Sequence, residues 1–534
     1  MENKLLKLPT GIQTFEKLRK ENCVYVDKTK YLVDLIDKGS IYFLARPRRF
    51  GKSLTITTFD ALFSGEKELF KGLKAEEFLN SPDFEPSPVI RLDMSRISTD
   101  QGLEIIKESL INLTKSIAKK LQIKLSKTKI YGDLLSELIS LTAIKYNQKV
   151  VVLVDEYDKP YTDFINNKDM AEKVRNILRS YYTQLKANDE YIRFIFITGI
   201  SKFTKMGVFS TLNNLADISM NPDYAEICGY TEKEIRDNFP YYLSETAKRM
   251  NINVEELIIR MRDYYNGFSF DYDAEVKIYN PFSTLRFFTE KDFANFWFDS
   301  GTPKFIADYL KTKKLTVEQF RNMPVSEEFV RNTGDVDTTT PEGFLFQSGY
   351  LTLRPGTTNQ LSLDYPNTEV LNSMSNLLTQ NILNEDAHYS QNLLLIALDS
   401  GDVKKLITAF NSLLANIPYD DFTRAAEIVV SLKDYTFTAR EWLYRSTILA
   451  FIRGSGAIVV PESHTNLGRS DLVVIHRDKV WVIEIKVAYK NNNIQKKAEE
   501  ALQQIKDKNY ATPYPNAICV GLVIDDEKRL IVNC

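Results

Sequence analysis

The sequence has few of the residues that cross-link small domains or bind soft metal ions. Its 534 residues include four cysteines, which form no C-x-x-C pair, and three scattered histidines. These counts weigh against a disulfide framework, a structural zinc site and a His-ligated metal centre. The cysteines are Cys23, Cys228, Cys519 and Cys534, and the histidines are His388, His464 and His476.

Long apolar runs and a strong net charge are also missing. No apolar stretch approaches the roughly 18 residues of a membrane span, and residues 1–9 have no signal-peptide core. Lys and Arg total 69 while Asp and Glu total 71, which gives a net charge of −2. This balance excludes a histone-like mode of nucleic-acid binding but permits a local basic channel. We therefore expect a cytoplasmic protein with no membrane partner.

The pattern of apolar residues predicts three regions. In the first half, continuous apolar runs alternate with helical stretches, which is typical of a parallel sheet covered by helices. At about 100–200 residues per domain, we predict an α/β domain over residues 1–285, a mostly helical connector over 286–430 and a second α/β domain over 431–534. The predicted strands of the first domain are Ser40–Ala45, Val89–Leu92, Val150–Val154 and Arg193–Thr198.

The C-terminal region is predicted to have the order α-β-β-β-α-β, and the connector is predicted to contain two short strands. The C-terminal elements are the helices Ala439–Arg453 and Asn493–Lys508 and the strands Ala457–Pro461, Asp471–His476, Val480–Val487 and Ile518–Val523. The connector strands are Gly343–Leu353 and Asn359–Leu363.

Residues 41–53 predict a phosphate-binding loop. Such a loop needs a strand, a glycine that lets main-chain N–H groups approach phosphate, and a helix that begins there. An apolar strand leads to Gly51, and a helix is predicted from Ser53 onward. We expect Lys52 to contact the β- and γ-phosphates of ATP, and the Ser53 hydroxyl to bind Mg²⁺.

The loop departs from G-x-x-x-x-G-K-[ST] at its first position. Arg46 stands where that pattern has a glycine, and Arg48 and Arg49 follow. Two interpretations of the three arginines stay open: they bind phosphate through bidentate hydrogen bonds, or they form a solvated face.

A second strand predicts the other half of the nucleotide site. Apolar residues run from Val150 directly into Asp155 and Glu156. A carboxylate at the end of such a strand can hold Mg²⁺, so we assign Asp155 to the metal and Glu156 to polarising the attacking water. After the next strand, Thr198 and Ser201 are candidates to reach the γ-phosphate, although Ser201 fits a helix N-cap equally well.

The strongest geometric argument concerns the predicted hairpin over residues 471–487. If its turn centres between residues 477 and 478, then residues whose numbers sum to 955 face each other. The Cβ atoms of Asp471 and Glu484 would then lie about 5 Å apart, and Lys486 would lie on the same face of the hairpin. A divalent cation would relieve the repulsion between these carboxylates. Mg²⁺ prefers such oxygen ligands and can activate water at a scissile phosphate.

Two more residues extend this candidate nuclease site. Glu441, on the preceding helix, could supply a third carboxylate to the metal, and Gln504, on the following helix, could contact metal-bound water or the DNA backbone. Lys486 would orient or deprotonate the water, or neutralise the transition state. The alternative is a solvated face with an Asp–Lys pair, on which Glu441 and Gln504 are ordinary surface residues.

With these residues in place, the sequence resembles the bacterial AAA-ATPase-like proteins of the P-loop superfamily that carry a C-terminal PD-(D/E)xK nuclease domain. The N-terminal resemblance rests on the segments at 8–11, 25–29, 46–53, 155–158, 198–203, 212–215 and 264–268. The C-terminal resemblance rests on the segments at 468–471, 484–486 and 501–505.

The resemblance implies nucleotide roles for Lys52, Ser53, Asp155 and Glu156. It implies nuclease roles for the five residues Glu441, Asp471, Glu484, Lys486 and Gln504. Arg46 in place of glycine is usual in that family, whereas Arg445 stands where the family often has histidine.

Three functions follow as hypotheses. The first is an ATP-dependent nuclease that cuts DNA, or less readily RNA. The second is an ATP-driven switch or scaffold whose C-terminal domain binds nucleic acid or a partner without cutting. The third is an ATPase that remodels protein. The filled nuclease positions favour the first hypothesis. A homo-oligomer is left open, because an arginine supplied in trans would require one.

Overall fold

In a computed structural model, the chain divides into two compact units. The first comprises residues 1–300 and 322–369, and the second comprises 301–321 and 370–534, so residues of the predicted connector occur in both. The structure describes all residues except 1–4, 101, 129, 165–166, 201–213, 300–317, 327–328, 330–339, 356–359, 384–386, 416–428, 433–434, 462–463, 466–467, 470, 490–491 and 533–534. Among the described helices, none is long and apolar enough to cross a membrane.

The first unit is built on a parallel sheet. Its strands are β1 (Ile41–Ala45), β2 (Val89–Asp93), β3 (Val150–Asp155), β4 (Ile192–Gly199) and β5 (Ala216–Asp217).

These strands have the spatial order β2-β3-β4-β1-β5, and every neighbouring pair is parallel. All residues of β1 and β3 are buried, which explains their continuous apolar sequences. The predicted parallel sheet is therefore confirmed. Because β4 lies between β1 and β3, the carboxyl ends of these three strands meet at one edge of the sheet.

Helices surround this sheet and extend the first unit beyond it. They are α1 (Phe15–Lys20), α2 (Thr29–Lys38), α3 (Lys52–Phe63), α4 (Glu76–Asn80), α5 (Leu103–Lys120), α6 (Tyr131–Tyr146), α7 (Lys159–Thr162), α8 (Lys168–Ala187), α9 (Glu232–Asn238), α10 (Pro240–Arg249), α11 (Val254–Tyr265), α12 (Pro281–Glu290), α13 (Phe296–Asp299) and α14 (Pro341–Ser348). A small antiparallel sheet has the order β6-β8-β7, with β6 (Met323–Pro324), β7 (Thr352–Pro355) and β8 (Leu361–Asp364).

The predicted connector strand Gly343–Leu353 is wrong in its first part, which forms α14. Thr340 caps this helix, because its hydroxyl oxygen accepts a hydrogen bond from the N–H of Gly343. Pro341 stands in the first turn, where a missing N–H costs little, and Gly349 ends the helix with a φ of 87°. These capping residues outweigh the apolar run between them. The other connector strand is confirmed as β8.

The second unit has a mixed sheet with helices, and four of the nine strands described there were predicted from the sequence. Its helices are α15 (Thr368–Leu383, which begins in the first unit), α16 (Ala387–Ser400), α17 (Val403–Ala415), α18 (Ala439–Gly454) and α19 (Ile494–Asp507). Its strands are β9 (Val429–Leu432), β10 (Tyr435–Thr438), β11 (Ile458–Pro461), β12 (His464–Thr465), β13 (Gly468–Arg469), β14 (Leu472–His476), β15 (Lys479–Ala488), β16 (Ile518–Asp525) and β17 (Leu530–Val532).

The main sheet of the second unit has the order β11-β14-β15-β16-β17. Only the β15–β16 pair is parallel, and the other three are antiparallel. One face of the sheet packs against side chains of α16, α17 and α18. This core includes the fully buried Trp481 of β15 and Phe451 of α18. Burying an aliphatic or aromatic side chain of this kind stabilises a fold by roughly 1.5–3 kcal/mol. In this order, β14 and β15 are neighbouring interior strands, each hydrogen-bonded to a strand on both sides.

Candidate functional site

The loop between β1 and α3 has the backbone shape that a phosphate-binding loop requires. Gly51 has a φ of 103°, in the left-handed region that favours glycine, and α3 begins at the next residue, Lys52. A Cβ atom at Gly51 would meet no atom within 4 Å among the described residues. The N-terminus of α3 therefore opens onto space that a phosphate group can fill.

Lys52 is held inside this loop by the loop's own carbonyl groups. Its Nζ donates to the main-chain oxygens of Arg46 and Pro47, at 2.9 Å each. Burial lowers the pKa of Lys52, and the nearby Asp155 and Glu156 carboxylates oppose that shift. Since a Lys ammonium has three N–H donors, one remains without a partner among the described residues. That donor suits an anionic ligand.

Arg46 lies in the core of the first unit and is only 1% exposed. Its guanidinium donates to the carbonyl oxygens of Ala45, Ser219 and Tyr224 and stacks over Phe270 at 4.2 Å. Burial lowers its pKa to about 10. The interpretation that Arg46 belongs to a solvated face is therefore wrong. Its hydrogen bonds fasten the end of β1 to the segment after β5, which is a structural role.

The other two loop arginines are more accessible. Arg48 is half-buried, and its charge helps to keep the pKa of Glu156 from rising further. Arg49 is exposed, with its guanidinium 4.6 Å from the ring centre of Phe282, and its φ of 68° lies in the left-handed region. Of the three arginines, Arg48 is thus the one whose charge reaches the acidic strand end.

We expect Arg46→Met to destabilise the first unit by about 3 kcal/mol, because buried carbonyl oxygens would lose their donors. Urea unfolding measured by circular dichroism checks this. Arg49→Met is the matched control, and its effect should stay within about 0.5 kcal/mol. Equal unfolding midpoints for the two variants would contradict the structural role of Arg46.

The carboxyl end of β3 supplies the acidic part of the nucleotide site. Asp155 is buried, and its Oδ1 accepts a hydrogen bond of 2.9 Å from the Thr198 hydroxyl on β4. Thr198 therefore orients this carboxylate. Burial raises the pKa of Glu156, with Lys52 opposing the shift. Glu156 also has a φ of 50°, an uncommon conformation for a residue with a side chain, found often at functional sites. Ser201 lies outside the described residues.

Two further carboxylates lie at this edge of the sheet, and no role was predicted for either of them from the sequence. Asp158 is buried, and its Oδ2 accepts from the N–H of Ile200, which holds the end of β4. Asp93 pairs directly with Asp155 across β2 and β3. The position of Asp93 at the end of a predicted strand could have identified it as a candidate site residue. No local sequence feature distinguished Asp158 from a helix-capping residue.

The hairpin of β14 and β15 has the predicted register. Leu472 lies opposite Ile483, so residue numbers sum to 955 along the pair. The next position beyond this pair brings Asp471 to Glu484: the Asp471 N–H donates to Glu484 Oε2 at 3.3 Å. Asp471 Oδ2 accepts from the Ile485 N–H at 2.7 Å. The two carboxylates thus meet at the open end of the hairpin.

Lys486 and Gln504 complete a hydrogen-bonded cluster around Glu484. Lys486 Nζ lies 3.1 Å from Glu484 Oε1 and 2.7 Å from Gln504 Oε1. The Gln504 amide donates to Glu484 Oε1 at 2.5 Å. Glu484 is 1% exposed. Burial, and then the Asp471 carboxylate, raise its pKa to about 7, while Lys486 lowers it. A cation at this position would favour the charged form of Glu484.

Arg445 brings Glu441 into the same cluster. Its guanidinium contacts Asp471 Oδ1 and lies 3.2 Å from Glu441 Oε1. It also donates to the carbonyl oxygen of Ile485 at 3.1 Å. Arg445 had no assigned role in the sequence beyond replacing a histidine. Its spacing of four residues from Glu441 on one helix was a usable signal, because such residues lie side by side.

The donor set of the cluster fits Mg²⁺ chemically. Asp471, Glu484 and Glu441 offer carboxylate oxygens, the hard ligands that this ion prefers. Within the described part of the chain, however, no three His, Cys, Asp or Glu side chains converge closely enough to hold a metal ion. The guanidinium of Arg445 stands between Glu441 and Asp471.

The fold and the two clusters define a protein with a P-loop-type nucleotide domain and a nuclease-like α/β domain. Residues 9–209 match the AAA-ATPase-like family, described as "Predicted AAA-ATPase". Residues 439–534 match the PD-(D/E)XK nuclease superfamily. A protein of Azotobacter chroococcum mcd 1, described as "Uncharacterized protein in vnfD 5'region", is 34% identical over 520 residues, which cover 95% of this chain and 93% of that protein.

The chain therefore belongs to the AAA-ATPase-like family and carries a C-terminal domain of the PD-(D/E)XK nuclease superfamily. The resemblance stated from the sequence is thereby confirmed. Among solved structures, the Aeropyrum pernix ORC1 protein in complex with DNA shares 10% identity, with 83% of this chain and 87% of that one covered. Its TM-score of 0.26 is too low to support a conclusion.

Proposed function

We propose that this protein binds and hydrolyses ATP at the β1–α3 loop and cleaves DNA at its C-terminal site in an Mg²⁺-dependent reaction that ATP gates. The observation that carries the proposal is the cluster of Asp471, Glu484, Lys486 and Gln504. The hairpin of β14 and β15 and the helix α19 supply these side chains, and hydrogen bonds join them at one end of the hairpin. Each has the chemistry that phosphodiester hydrolysis requires.

In the C-terminal site, Asp471 and Glu484 would hold Mg²⁺, with Glu441 as a further ligand. Bound there, the ion would supply a Lewis acid and an activated water. Gln504 and Glu484 position the Lys486 ammonium at the edge of the carboxylates. Lys486 can then neutralise charge on the scissile phosphate or orient the attacking water. Gln504 acts through Lys486 as a positioning residue.

At the nucleotide site, Lys52 would bind the phosphates, and Ser53 and Asp155 would hold Mg²⁺. Thr198 keeps the Asp155 carboxylate in place. Because its pKa is raised by burial, the Glu156 carboxylate is a better proton acceptor than an exposed glutamate, which suits a residue that polarises water. Arg48 is the loop arginine best placed to contact phosphate, and Arg49 is the more exposed second candidate.

Trp297 offers a connection through which ATP could gate cleavage. Its indole Nε1 donates to the carbonyl oxygen of Arg48 in the phosphate loop at 3.1 Å, and its main-chain N–H donates to Glu369 Oε1 at 2.8 Å. Glu369 is fully buried near the start of α15, and α15 continues into the second unit. A shift of the loop on ATP binding would therefore reach that helix.

We expect Trp297→Phe to weaken the effect of ATP on DNA cleavage by about tenfold, a loss equivalent to one hydrogen bond of about 1.4 kcal/mol. The variant keeps an aromatic ring for packing but loses the indole N–H. ATP affinity, measured by titration calorimetry, should stay near that of the wild type. A variant whose cleavage still responds fully to ATP would rule out this connection.

The experiment that tests the proposal incubates the full chain with linear and circular DNA, with and without Mg²⁺ and ATP. Lys486→Ala is measured beside the wild type, with Lys479→Ala, at the other end of β15, as the matched control. We expect Mg²⁺-dependent products from the wild type and from Lys479→Ala but not from Lys486→Ala. If no condition yields such products, the proposed nuclease activity is refuted.

One observation favours a second candidate function. Arg445 neutralises Asp471 and Glu441 without a metal ion, which suits an ATP-driven switch whose C-terminal domain binds nucleic acid or a partner without cutting. DNA binding that depends on ATP, with no cleavage under any metal condition, would support this alternative.

A further inference from the structure

The oxygen atoms around Arg445 resemble the surroundings of a metal ion. Two carboxylates and one main-chain carbonyl contact its guanidinium: Asp471 Oδ1, Glu441 Oε1 and the oxygen of Ile485. Such a combination of carboxylate and carbonyl oxygens is what a hard divalent cation takes. A guanidinium is permanently charged, so it neutralises these groups at any physiological pH.

Both carboxylate oxygens of Asp471 accept a hydrogen bond in this arrangement. Its Oδ2 accepts from the Ile485 N–H, and its Oδ1 contacts the guanidinium. On the other side of the cluster, Glu484 Oε1 accepts hydrogen bonds from Lys486 Nζ and the Gln504 side-chain amide. A divalent cation that binds Asp471 must therefore displace the guanidinium or tolerate its charge nearby.

We infer that Arg445 is a latch that competes with the divalent cation for Asp471 and Glu441 and holds the C-terminal site in a state of low metal affinity. The inference rests on the proposed function in one respect, since it takes the cluster to be the metal site. Metal binding is favoured when the guanidinium leaves Asp471, a movement that also breaks its hydrogen bond to the carbonyl oxygen of Ile485 on β15. Arg445 is thus a positioning residue that regulates the site.

Removing the charge of Arg445 should increase metal affinity. We expect Arg445→Met, in the full chain, to bind Mn²⁺ at least about tenfold more tightly than the wild type, because a unit charge in contact with the site is removed. Electron paramagnetic resonance of free Mn²⁺ measures this without any cleavage assay. Arg445→Gln is a second neutral variant, and thermal unfolding shows which of the two is folded.

Arg477→Met is the matched control, because it removes the same charge at the turn of the same hairpin, where Arg477 pairs with Asp399. Its Mn²⁺ affinity should equal that of the wild type. Adding Glu484→Gln to Arg445→Met should remove the gain. If folded neutral variants bind Mn²⁺ no more tightly than the wild type, the latch is refuted while the metal site stands. If no protein binds Mn²⁺, both the latch and the proposed metal-dependent function are refuted.

Discussion

Glu484→Gln is expected to reduce Mg²⁺-dependent DNA cleavage at least about 1000-fold, in line with the loss of a metal-based charge stabilisation worth about 4 kcal/mol. Glu484 is the most buried carboxylate of the cluster and bonds to Asp471, Lys486 and Gln504. Glutamine keeps the shape of the side chain but not its charge. The initial rate of plasmid cleavage at saturating Mg²⁺ measures the effect.

The folded state of this variant should be preserved. Burial of the charged carboxylate is unfavourable, which raises the pKa of Glu484. Because glutamine carries no charge, the variant avoids this desolvation cost, and its melting temperature should not fall. Glu527→Gln, in the turn after β16, changes the same charge outside the cluster and should cleave at the wild-type rate. Cleavage by Glu484→Gln within about tenfold of the wild type would contradict the assignment of Glu484 as a metal ligand.

Lys52→Met is expected to weaken ATP binding by about 100-fold, because a buried charge-assisted contact with phosphate is worth up to about 3 kcal/mol. Without ATP, we expect a stability loss smaller than that of Arg46→Met, because removing a charge that burial disfavours partly offsets the lost hydrogen bonds to the carbonyl oxygens of Arg46 and Pro47. Titration calorimetry gives the affinity, and thermal unfolding with and without ATP gives the stability.

Ser53→Ala separates the two parts of the same loop. It should reduce ATP affinity only when Mg²⁺ is present, because the Ser53 hydroxyl is assigned to the metal, whereas Lys52→Met should reduce the affinity with and without Mg²⁺. An unchanged ATP affinity in Lys52→Met would place the nucleotide elsewhere on the chain.

Local patterns in the sequence were sufficient to predict the central elements of both units. Continuous apolar runs revealed β1, β3 and β4, and the arithmetic of the turn gave the register that joins Asp471 to Glu484. These features depend on residues that are close in sequence or related by a single hairpin. Where capping residues competed with an apolar run, as Thr340 and Gly349 do in α14, the capping residues determined the structure.

Contacts between distant segments could not be predicted from the sequence. The burial of Arg46 depends on carbonyl groups at Ser219 and Tyr224, more than 170 residues away, and the contact of Trp297 with Arg48 spans 249 residues. The role of Arg445 depends on Asp471 after the helix and strand are assembled. In each case, the residues next to the arginine or tryptophan in the sequence do not indicate these more distant partners.

The most direct test of the central claim measures DNA cleavage against ATP concentration at constant free Mg²⁺, for the wild type and Lys52→Met. We predict that the wild-type rate changes at least about tenfold, a coupling of about 1.4 kcal/mol, with its midpoint at the dissociation constant of ATP. Lys52→Met should show no dependence on ATP at these concentrations. Equal wild-type rates at zero and saturating ATP would contradict the account, as would an identical ATP response in Lys52→Met.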